Sequence, residues 1–271
     1  MNYNSTRRNL VAYFGYDRKL STITKGDVDD FRVFMRVDEG LADNTVRRRM
    51  GISKQFFQAA VRKKIIPENP FLGHACSVRE NHKRFYFLKA EDAKKVLDAC
   101  PDIQWKLIFA LARWGGLRCP SEILRLKWED INWEQKRFTV HASKTEHHAD
   151  GGIRQVPIFP ELMPLFLEAF ETAPEGESFV ISKYRSDRTN LRTKMCRIIK
   201  RAGMTPWPKL FQNLRSTRET ELAETFPIHV VCKWIGNSPL IAARHYLQTC
   251  EEHFQLAAGG GQHKTLVENF Q

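Results

Sequence analysis

The sequence predicts a mainly α-helical protein with a small β-hairpin, an α+β fold of two domains. Apolar residues recur at helical spacing from Val28 to Val61, and the same spacing returns after residue 162. Between these regions, residues 138–140 and 153–156 are short β-prone runs on either side of Gly151 and Gly152, a pattern typical of a hairpin. A length of 271 residues with 42% hydrophobic residues suits a small helical domain followed by a larger mixed one.

The first domain is predicted to span residues 1–73. Thr24 followed by Asp27 resembles a capping box with Asp in the usual Glu position, so a helix is expected to begin there. A second helix is expected to begin near Asn44, and Pro67 and Pro70 are expected to end it. An upstream helix near residues 7–16 completes this unit.

Residues 74–86 are polar and basic and show no sustained period, so they are predicted to be an interdomain linker. Its charge is explained equally well by solubility and by a strap that lies along phosphates. The second domain is predicted to span residues 87–271. Its expected helices are residues 90–99, 106–114, 162–170, 191–201, 213–223, 228–235 and 242–247. The tail after Leu247 is expected to dock either on a neighbouring protomer or on its own domain.

Charge points to a polyanionic partner. The formal net charge is +12, and residues 1–86 hold 17 Lys and Arg against 9 Asp and Glu, so the excess is concentrated in the first third. Many basic proteins never bind nucleic acid, so this observation gains weight only beside the motifs below.

Several classes of protein are excluded. The sequence lacks a phosphate-binding Gly-x-x-x-x-Gly-Lys-Ser/Thr loop, a Gly-x-Gly-x-x-Gly turn and a His-Glu-x-x-His motif, so no nucleotide, dinucleotide or metal cofactor is expected. Six widely separated cysteines predict reduced thiols instead of disulfides or a zinc site. Without a secretory start or a run of apolar residues long enough for a bilayer, the expected location is the cytoplasm, on the nucleoid.

Five short blocks carry the chemistry. They are residues 116–122 (GLRCPSE), 143–145 (SKT), 212–215 (QNLR), 235–237 (IGN) and Tyr246. In order and character they resemble the tyrosine recombinase (phage integrase) family, whose catalytic domain has Gly-Leu-Arg, a hairpin lysine, His-x-x-Arg, Leu-Gly-His and then a tyrosine. Each block alone is weak, but five in order, with nine residues from Asn237 to Tyr246, form a strong signal. The first domain resembles the family's helical core-binding domain.

The resemblance implies a site-specific recombinase that cuts and rejoins DNA through a covalent 3′-phosphotyrosine, without metal or ATP. It implies Tyr246 as the nucleophile. A phenol needs help to lose its proton before it can attack a phosphodiester, so other residues must assist it. Arg118 and Arg215 would clamp the phosphate oxygens and Lys144 would act as general acid. Gln212 and Asn237 complete the predicted catalytic set, and Glu122 is a supporting residue.

Duplex DNA is the implied partner, enclosed by the two domains, and the protomers are expected to assemble on it as a homo-oligomer, a tetramer. The predicted DNA contacts are cations of the first domain and the linker: Arg47, Arg48, Arg49, Lys54, Arg62, Lys63, Lys64, Arg79, Lys83 and Arg84. No membrane partner is expected.

Three departures from the family pattern stand out. Gln212 and Asn237 replace histidines and cannot shuttle protons near neutral pH. Glu122 lies one residue later than in the commoner Arg-x-x-Glu, so the extra residue must be absorbed locally. Slower or more context-dependent chemistry is expected.

Each candidate also has a plain structural explanation. Arg118 could pair with Glu122 at a helix end, Lys144 could be one solvated charge in a polar turn, and Arg215 could lie on an exposed helix face. Tyr246 could simply pack against Trp234 or its neighbour. Two rival functions remain: a DNA-binding protein with an inactive site, motivated by the lost histidines, and a type IB topoisomerase, which would share the chemistry without paired sites.

Overall fold

The computed structural model describes residues 2–78, 81–142, 152–186, 189–248 and 254, with the side chains of residues 82, 244 and 245 left out. The chain forms two compact units, Met1–Asn81 and His82–Gln271. The predicted fold class is confirmed, because the protein is mainly helical with one small antiparallel sheet. Within the described ranges, no helix combines the length and the apolar character needed to cross a membrane.

Three helices build the first unit. They are α1 (Asn2–Phe14), α2 (Lys25–Val37) and α3 (Asp43–Arg62). The predicted capping box begins α2: Thr24 Oγ1 accepts a hydrogen bond from the Asp27 amide, and Asp27 Oδ2 accepts one from the Thr24 amide. Helix α1 begins five residues before the predicted start. The prediction missed this first turn because it has no apolar residues at helical spacing.

Aromatic side chains fill the centre of this unit. Phe31 from α2 and Met50 from α3 are fully buried, and Phe57 packs on Phe71, which follows α3. Asn69 holds the exit of α3 in place, since its Oδ1 accepts a hydrogen bond from the Phe71 amide. The unit therefore has a hydrophobic core of its own.

The second unit contains seven helices and three strands in its described part. They are α4 (Ala90–Asp98), α5 (Ile103–Arg113), β1 (Ile131–Asn132), β2 (Arg137–His141), β3 (Ile153–Pro157), α6 (Met163–Glu171), α7 (Leu191–Arg201), α8 (Leu210–Thr225), α9 (Ile228–Ile235) and α10 (Pro239–His245). The strand order is β1-β2-β3, and Val140 pairs with Arg154. Strand β1 was not predicted, because two residues are too few to show alternation.

Helices α5 and α8 form the centre of the second unit. Almost every side chain of α5 is buried, and its last residue, Arg113, forms a bidentate ion pair with Glu221 of α8. Helix α8 also buries a row of polar residues: Asn213, Arg215, Ser216, Thr217, Glu219 and Thr220. Buried polar groups require partners, so this helix positions the polar network of the site.

Each end of the segment predicted as a linker packs on the unit to which that end belongs. His74 Nδ1 lies 3.3 Å from Asp29 Oδ1 in the first unit. In the second unit, Tyr86 stacks on Trp207 with ring centroids 4.9 Å apart. The described cysteines are free thiols; Cys100 and Cys232 are buried, and the other three are half-buried.

Gly116 follows α5 with a φ of +66°, and a Cβ there would lie 2.3 Å from Ile235 Cδ1. We expect Gly116→Ala to lower the free energy of unfolding by about 2–4 kcal/mol, since it adds left-handed strain and overpacking. Gly176 is the matched control, because its φ is +78° but nothing lies within 4 Å of an added Cβ. Gly176→Ala should cost only about 1–2 kcal/mol. Equal losses in urea unfolding would contradict the packing argument.

Candidate active site

The carboxylate of Glu122 is the centre of the site. Its Oε1 accepts hydrogen bonds from Arg118 Nη1 at 2.5 Å and Arg154 Nη1 at 3.0 Å. Its Oε2 accepts bonds from the Arg118 amide at 2.8 Å and Arg154 Nη2 at 2.7 Å. Arg215 Nη1 lies 3.8 Å from the same oxygen. Three guanidiniums therefore surround one buried carboxylate.

The protonation of Glu122 follows from these contacts. Burial by itself would raise the pKa of this carboxyl, since only 2% of the residue is exposed. The hydrogen bonds and charge of Arg154, with the charges of Arg118 and Arg215, outweigh burial and lower the pKa of Glu122 to about 2. The residue is an anion at neutral pH, and the four groups together carry a net positive charge.

Arg118 lies just beyond α5 and joins two parts of the unit. The longer Arg-Cys-Pro-Ser-Glu segment is absorbed as a tight turn, in which the Glu122 amide donates to the Arg118 carbonyl at 2.9 Å. Arg118 Nη2 donates to the Gly236 carbonyl at 2.8 Å, at the end of α9. The expected pairing with Glu122 is present, and it holds the partly exposed guanidinium beside Arg215.

Arg215 lies inside the unit, so an exposed helix face is the wrong explanation for it. Only 2% of the residue is exposed, and Nη1 donates to the Gly116 carbonyl at 2.7 Å. Its Nε and Nη2 are buried with no hydrogen-bond partner among the described residues. Burial, and then repulsion from Arg118, lower the pKa of Arg215 to about 10, which keeps it charged at neutral pH.

Tyr246 follows the last residue of α10, beside Arg215. The Arg215 Cζ atom lies 5.3 Å from the centroid of the Tyr246 ring. The Tyr246 carbonyl accepts a hydrogen bond from Ser216 Oγ. Gln248 Nε2 donates to Ser216 Oγ at 2.8 Å. Helix α8 therefore fixes the backbone at Tyr246 as well as Arg215.

The two residues that replace histidines differ in their surroundings. Asn237 comes directly after Gly236, the left-handed residue that ends α9, and its Nδ2 donates to Glu219 Oε1 at 2.8 Å. Gln212 lies in the first turn of α8 with its side chain exposed. Asn237 is therefore part of the polar network around α8, and Gln212 faces solvent.

Lys144 lies outside the described residues, between the end of β2 and the start of β3. Its role as general acid stays a prediction.

Arg154 was missed by the sequence analysis, which used its segment only as a strand. Its side chain makes two bonds to Glu122, and its Nε donates to the Trp234 carbonyl at 2.8 Å. It thereby joins the hairpin to α9 and to the turn after α5. The sequence did offer a signal for Arg154. It lies two residues before Val156 and therefore on the same, inward-facing side of the strand, where charged residues are rare unless they are paired.

The predicted DNA contacts differ in how free their side chains are. Arg47 is buried and pairs with Asp43 at 2.7 Å, so its side chain serves the first unit internally. Arg49 is half-buried and donates to Asn9, and Lys54 is half-buried. Six of the predicted DNA contacts are exposed: Arg48, Arg62, Lys63 and Lys64 in the first unit and Lys83 and Arg84 in the second. Arg79 lies outside the described residues.

Among the residues that the structure describes, no group of three or more His, Cys, Asp or Glu side chains is placed to hold a metal ion.

Comparison with known proteins agrees with this geometry. The profile of the phage integrase family matches residues 86–253, which is more than half of the chain. The chain belongs to the phage integrase family. A second profile, the phage integrase SAM-like domain, matches residues 1–78.

Two curated relatives carry the name tyrosine recombinase. The XerC-like tyrosine recombinase of Caldanaerobacter subterraneus is 26% identical over 240 residues, covering 74% of this chain and 61% of the relative. The tyrosine recombinase XerA of Pyrococcus furiosus is 27% identical over 188 residues, covering 67% of this chain and 63% of the relative. This integrase-family chain thus spans about three fifths of the length of these relatives.

Solved structures of integrases share the fold. The Tn1549 transposon integrase in complex with transposon right-end DNA aligns with a TM-score of 0.75 and 15% identity, over 96% of this chain and 92% of that one. A lambda integrase dimer bound to a COC′ core site aligns with a TM-score of 0.67 and 19% identity, over 88% and 86%. At these identities, the likeness supports the fold alone.

Removing the charge of Glu122 should destabilise the protein strongly. We expect Glu122→Gln to lower the free energy of unfolding by about 3–5 kcal/mol at neutral pH, because three guanidiniums lose their buried counter-charge. Since the folded-state pKa is lowered, the contribution of Glu122 is present above the ordinary value of 4.5 and is lost as the pH falls towards 2. The gap between wild type and variant should therefore shrink between neutral pH and about pH 3.

Urea unfolding at both pH values measures this gap. Glu129→Gln is the control, because Glu129 makes only an exposed ion pair with Lys127. A gap that stays constant or widens in acid would contradict the assignment of Glu122 as the buried anion.

Proposed function

We propose that this protein is a site-specific DNA recombinase that cuts and rejoins duplex DNA through a covalent 3′-phosphotyrosine on Tyr246, without metal or ATP. One observation carries the proposal: the guanidiniums of Arg118 and Arg215 are held around one buried carboxylate, with the Tyr246 ring 5.3 Å from Arg215. The family membership of the chain supports the same chemistry.

The electrostatics suit a phosphodiester in its transition state, whose non-bridging oxygens gain negative charge. Arg118, Arg154 and Arg215 carry three positive charges against the single negative charge of Glu122. The Nε and Nη2 atoms of Arg215 are donors without an acceptor among the described residues, and a phosphate oxygen is a strong acceptor. Preorganised donors of this kind stabilise developing charge without reorganising.

Proton transfers complete the reaction. The Tyr246 hydroxyl gives its proton to solvent water as its oxygen bonds to phosphorus, and the bond between phosphorus and the 5′ sugar oxygen breaks. We assign to Lys144 the donation of a proton to that departing oxygen. The phosphotyrosine bond conserves the energy of the broken bond for rejoining, so ATP is not required. Asn237 and Gln212 can donate hydrogen bonds but cannot exchange protons near neutral pH, so we expect slower chemistry than a histidine site would allow.

Duplex DNA is the proposed substrate and partner. Solved integrases of the same fold are bound to DNA, one as a dimer on a core site and one as a tetramer on a Holliday junction. We propose contacts from the exposed cations of both units and assembly on DNA as a tetramer, with the nucleoid in the cytoplasm as the place of action. The DNA contact predicted for Arg47 would require its pair with Asp43 to open.

A suicide substrate with a nick beside the cleavage position tests the nucleophile. Wild type should form a covalent protein–DNA adduct that denaturing electrophoresis detects, whereas Tyr246→Phe should form none, because it lacks the attacking oxygen. Tyr184→Phe is a matched control, since the Tyr184 hydroxyl donates to Asp102 away from the arginines.

Each rival function has a distinct outcome. Absence of an adduct from wild type under every condition would favour a DNA-binding protein with an inactive site. Relaxation of supercoils by dilute monomer, on DNA without inverted repeats, would favour a type IB topoisomerase.

Salt dependence tests the basic surface at the end of α3. The triple variant Arg62→Gln, Lys63→Gln, Lys64→Gln should bind duplex DNA more weakly at low salt. Its slope of log K against log salt should fall by up to about 2.7, since each lost phosphate contact removes about 0.9. Neutralising the exposed Lys19, Lys25 and Arg36 instead is the control. Equal slopes for the two triple variants, measured by fluorescence anisotropy, would rule out the end of α3 as a phosphate contact.

A further inference from the structure

A buried acid that the mechanism does not use lies one helical turn after Arg215. Glu219 on α8 is fully buried, and its Oε1 accepts a hydrogen bond from Asn237 Nδ2 at 2.8 Å. The second oxygen of each group, Glu219 Oε2 and Asn237 Oδ1, is also buried and has no partner among the described residues. Two acceptor atoms on hydrogen-bonded neighbours thus lack a donor.

One proton would satisfy both oxygens. In a planar carboxyl–carboxamide pair, Nδ2–H donates to Oε1 while Oε2–H donates to Oδ1, and the two bonds close a ring. An unsatisfied buried polar group costs about 1–3 kcal/mol, so the protonated pair removes two such costs that the carboxylate would leave in place. The geometry therefore favours the neutral acid at this position.

The charged groups around Glu219 act in both directions. Burial raises the pKa of Glu219, and the Asn237 hydrogen bond and the charges of Arg215 and Arg118 oppose that rise without cancelling it. The Cys232 thiol on α9 also faces it: burial, and then the negative charge of an ionised Glu219, raise the pKa of Cys232. The net direction for Glu219 agrees with the hydrogen-bond geometry.

We propose that Glu219 holds a proton at neutral pH and pairs with Asn237 as a carboxyl–carboxamide ring, which aims the remaining N–H of Asn237 at the scissile phosphate. This inference rests on the proposed recombinase function and deepens it. Glu219 is a positioning residue: it keeps its proton throughout the reaction and acts through Asn237. The ring uses one Nδ2 hydrogen and leaves the other free for a phosphate oxygen.

Neutrality of Glu219 also maintains the positive charge of the site. An ionised Glu219 would place a second anion beside Arg215 and Arg118, in addition to Glu122, and would repel the phosphate. Activity should therefore be highest where Glu219 is protonated and should fall as rising pH ionises it. Folding stability follows the same sign, since a raised carboxyl pKa contributes stability that is lost as the pH rises.

The first experiment needs no DNA and no activity. Infrared spectra of the whole protein at neutral pH should contain the C=O stretch of a protonated carboxylic acid, and that band should vanish in Glu219→Gln. The matched control is Glu129→Gln, which removes an exposed, paired carboxylate and should leave the band unchanged. Absence of the acid band from wild type would overturn the proposal whatever the protein does to DNA.

The second experiment measures adduct formation on the nicked substrate against pH. Glu219→Ala should form adduct about tenfold more slowly, because Asn237 loses both ring bonds. Glu219→Gln should recover most of that loss, since an amide reproduces both bonds, and its profile should lack the fall with rising pH that wild type shows. A pH fall that persists in Glu219→Gln, or equal rates for Glu219→Ala and wild type, would overturn the positioning role.

The two failures are distinguishable. An acid band that belongs to Glu219, in a protein that never forms an adduct, would support the protonated pair and refute the recombinase function. Adduct formation without an acid band would support the recombinase and refute the pair.

Discussion

The structure of the site depends on the pairing of three buried or half-buried guanidiniums with the carboxylate of Glu122. Arg118 follows α5, Arg154 comes from β3 and Arg215 from α8, so one anion joins three parts of the second unit. Guanidiniums packed this closely repel each other, and only a buried counter-charge with several hydrogen bonds makes the arrangement stable. The position of each arginine is therefore conditional on Glu122.

Helix α8 transmits this constraint to Tyr246, the proposed nucleophile. Arg215, Ser216 and Glu219 are buried on this helix, and they contact the Gly116 carbonyl, the Tyr246 carbonyl and Asn237 respectively. Polar residues buried around a helix require partners on every side, which explains why the turn after α5, the end of α9 and the end of α10 all meet there. The geometry of the candidate site follows from the contacts that the buried polar residues of α8 make.

Sequence reasoning worked where the signal is local. The capping box at Thr24 and the bounds of α9 follow from side-chain chemistry within a few residues. Tyr246 was selected by order and spacing, and its role as nucleophile stays a prediction. Sequence reasoning failed where tertiary contacts decide. The charged neighbours of Arg215 along the chain left an exposed helix face open as an alternative to a role in the site, and Arg154 was treated only as part of a strand. Neither burial nor a partner more than thirty residues away is visible in a local pattern.

We expect the absence of both family histidines to make this site depend less on proton transfer and more on charge and fixed hydrogen bonds. An imidazole contributes a hydrogen bond and a titratable proton, whereas Asn237 keeps only the hydrogen bond, so orientation becomes its whole contribution. Orientation of a carboxamide requires partners on both of its ends, and Glu219 is the residue that meets Asn237. We expect a site without histidine proton transfer to depend more strongly on fixed hydrogen-bond donors, and fixed donors require a rigid support. The buried polar face of α8 provides that support.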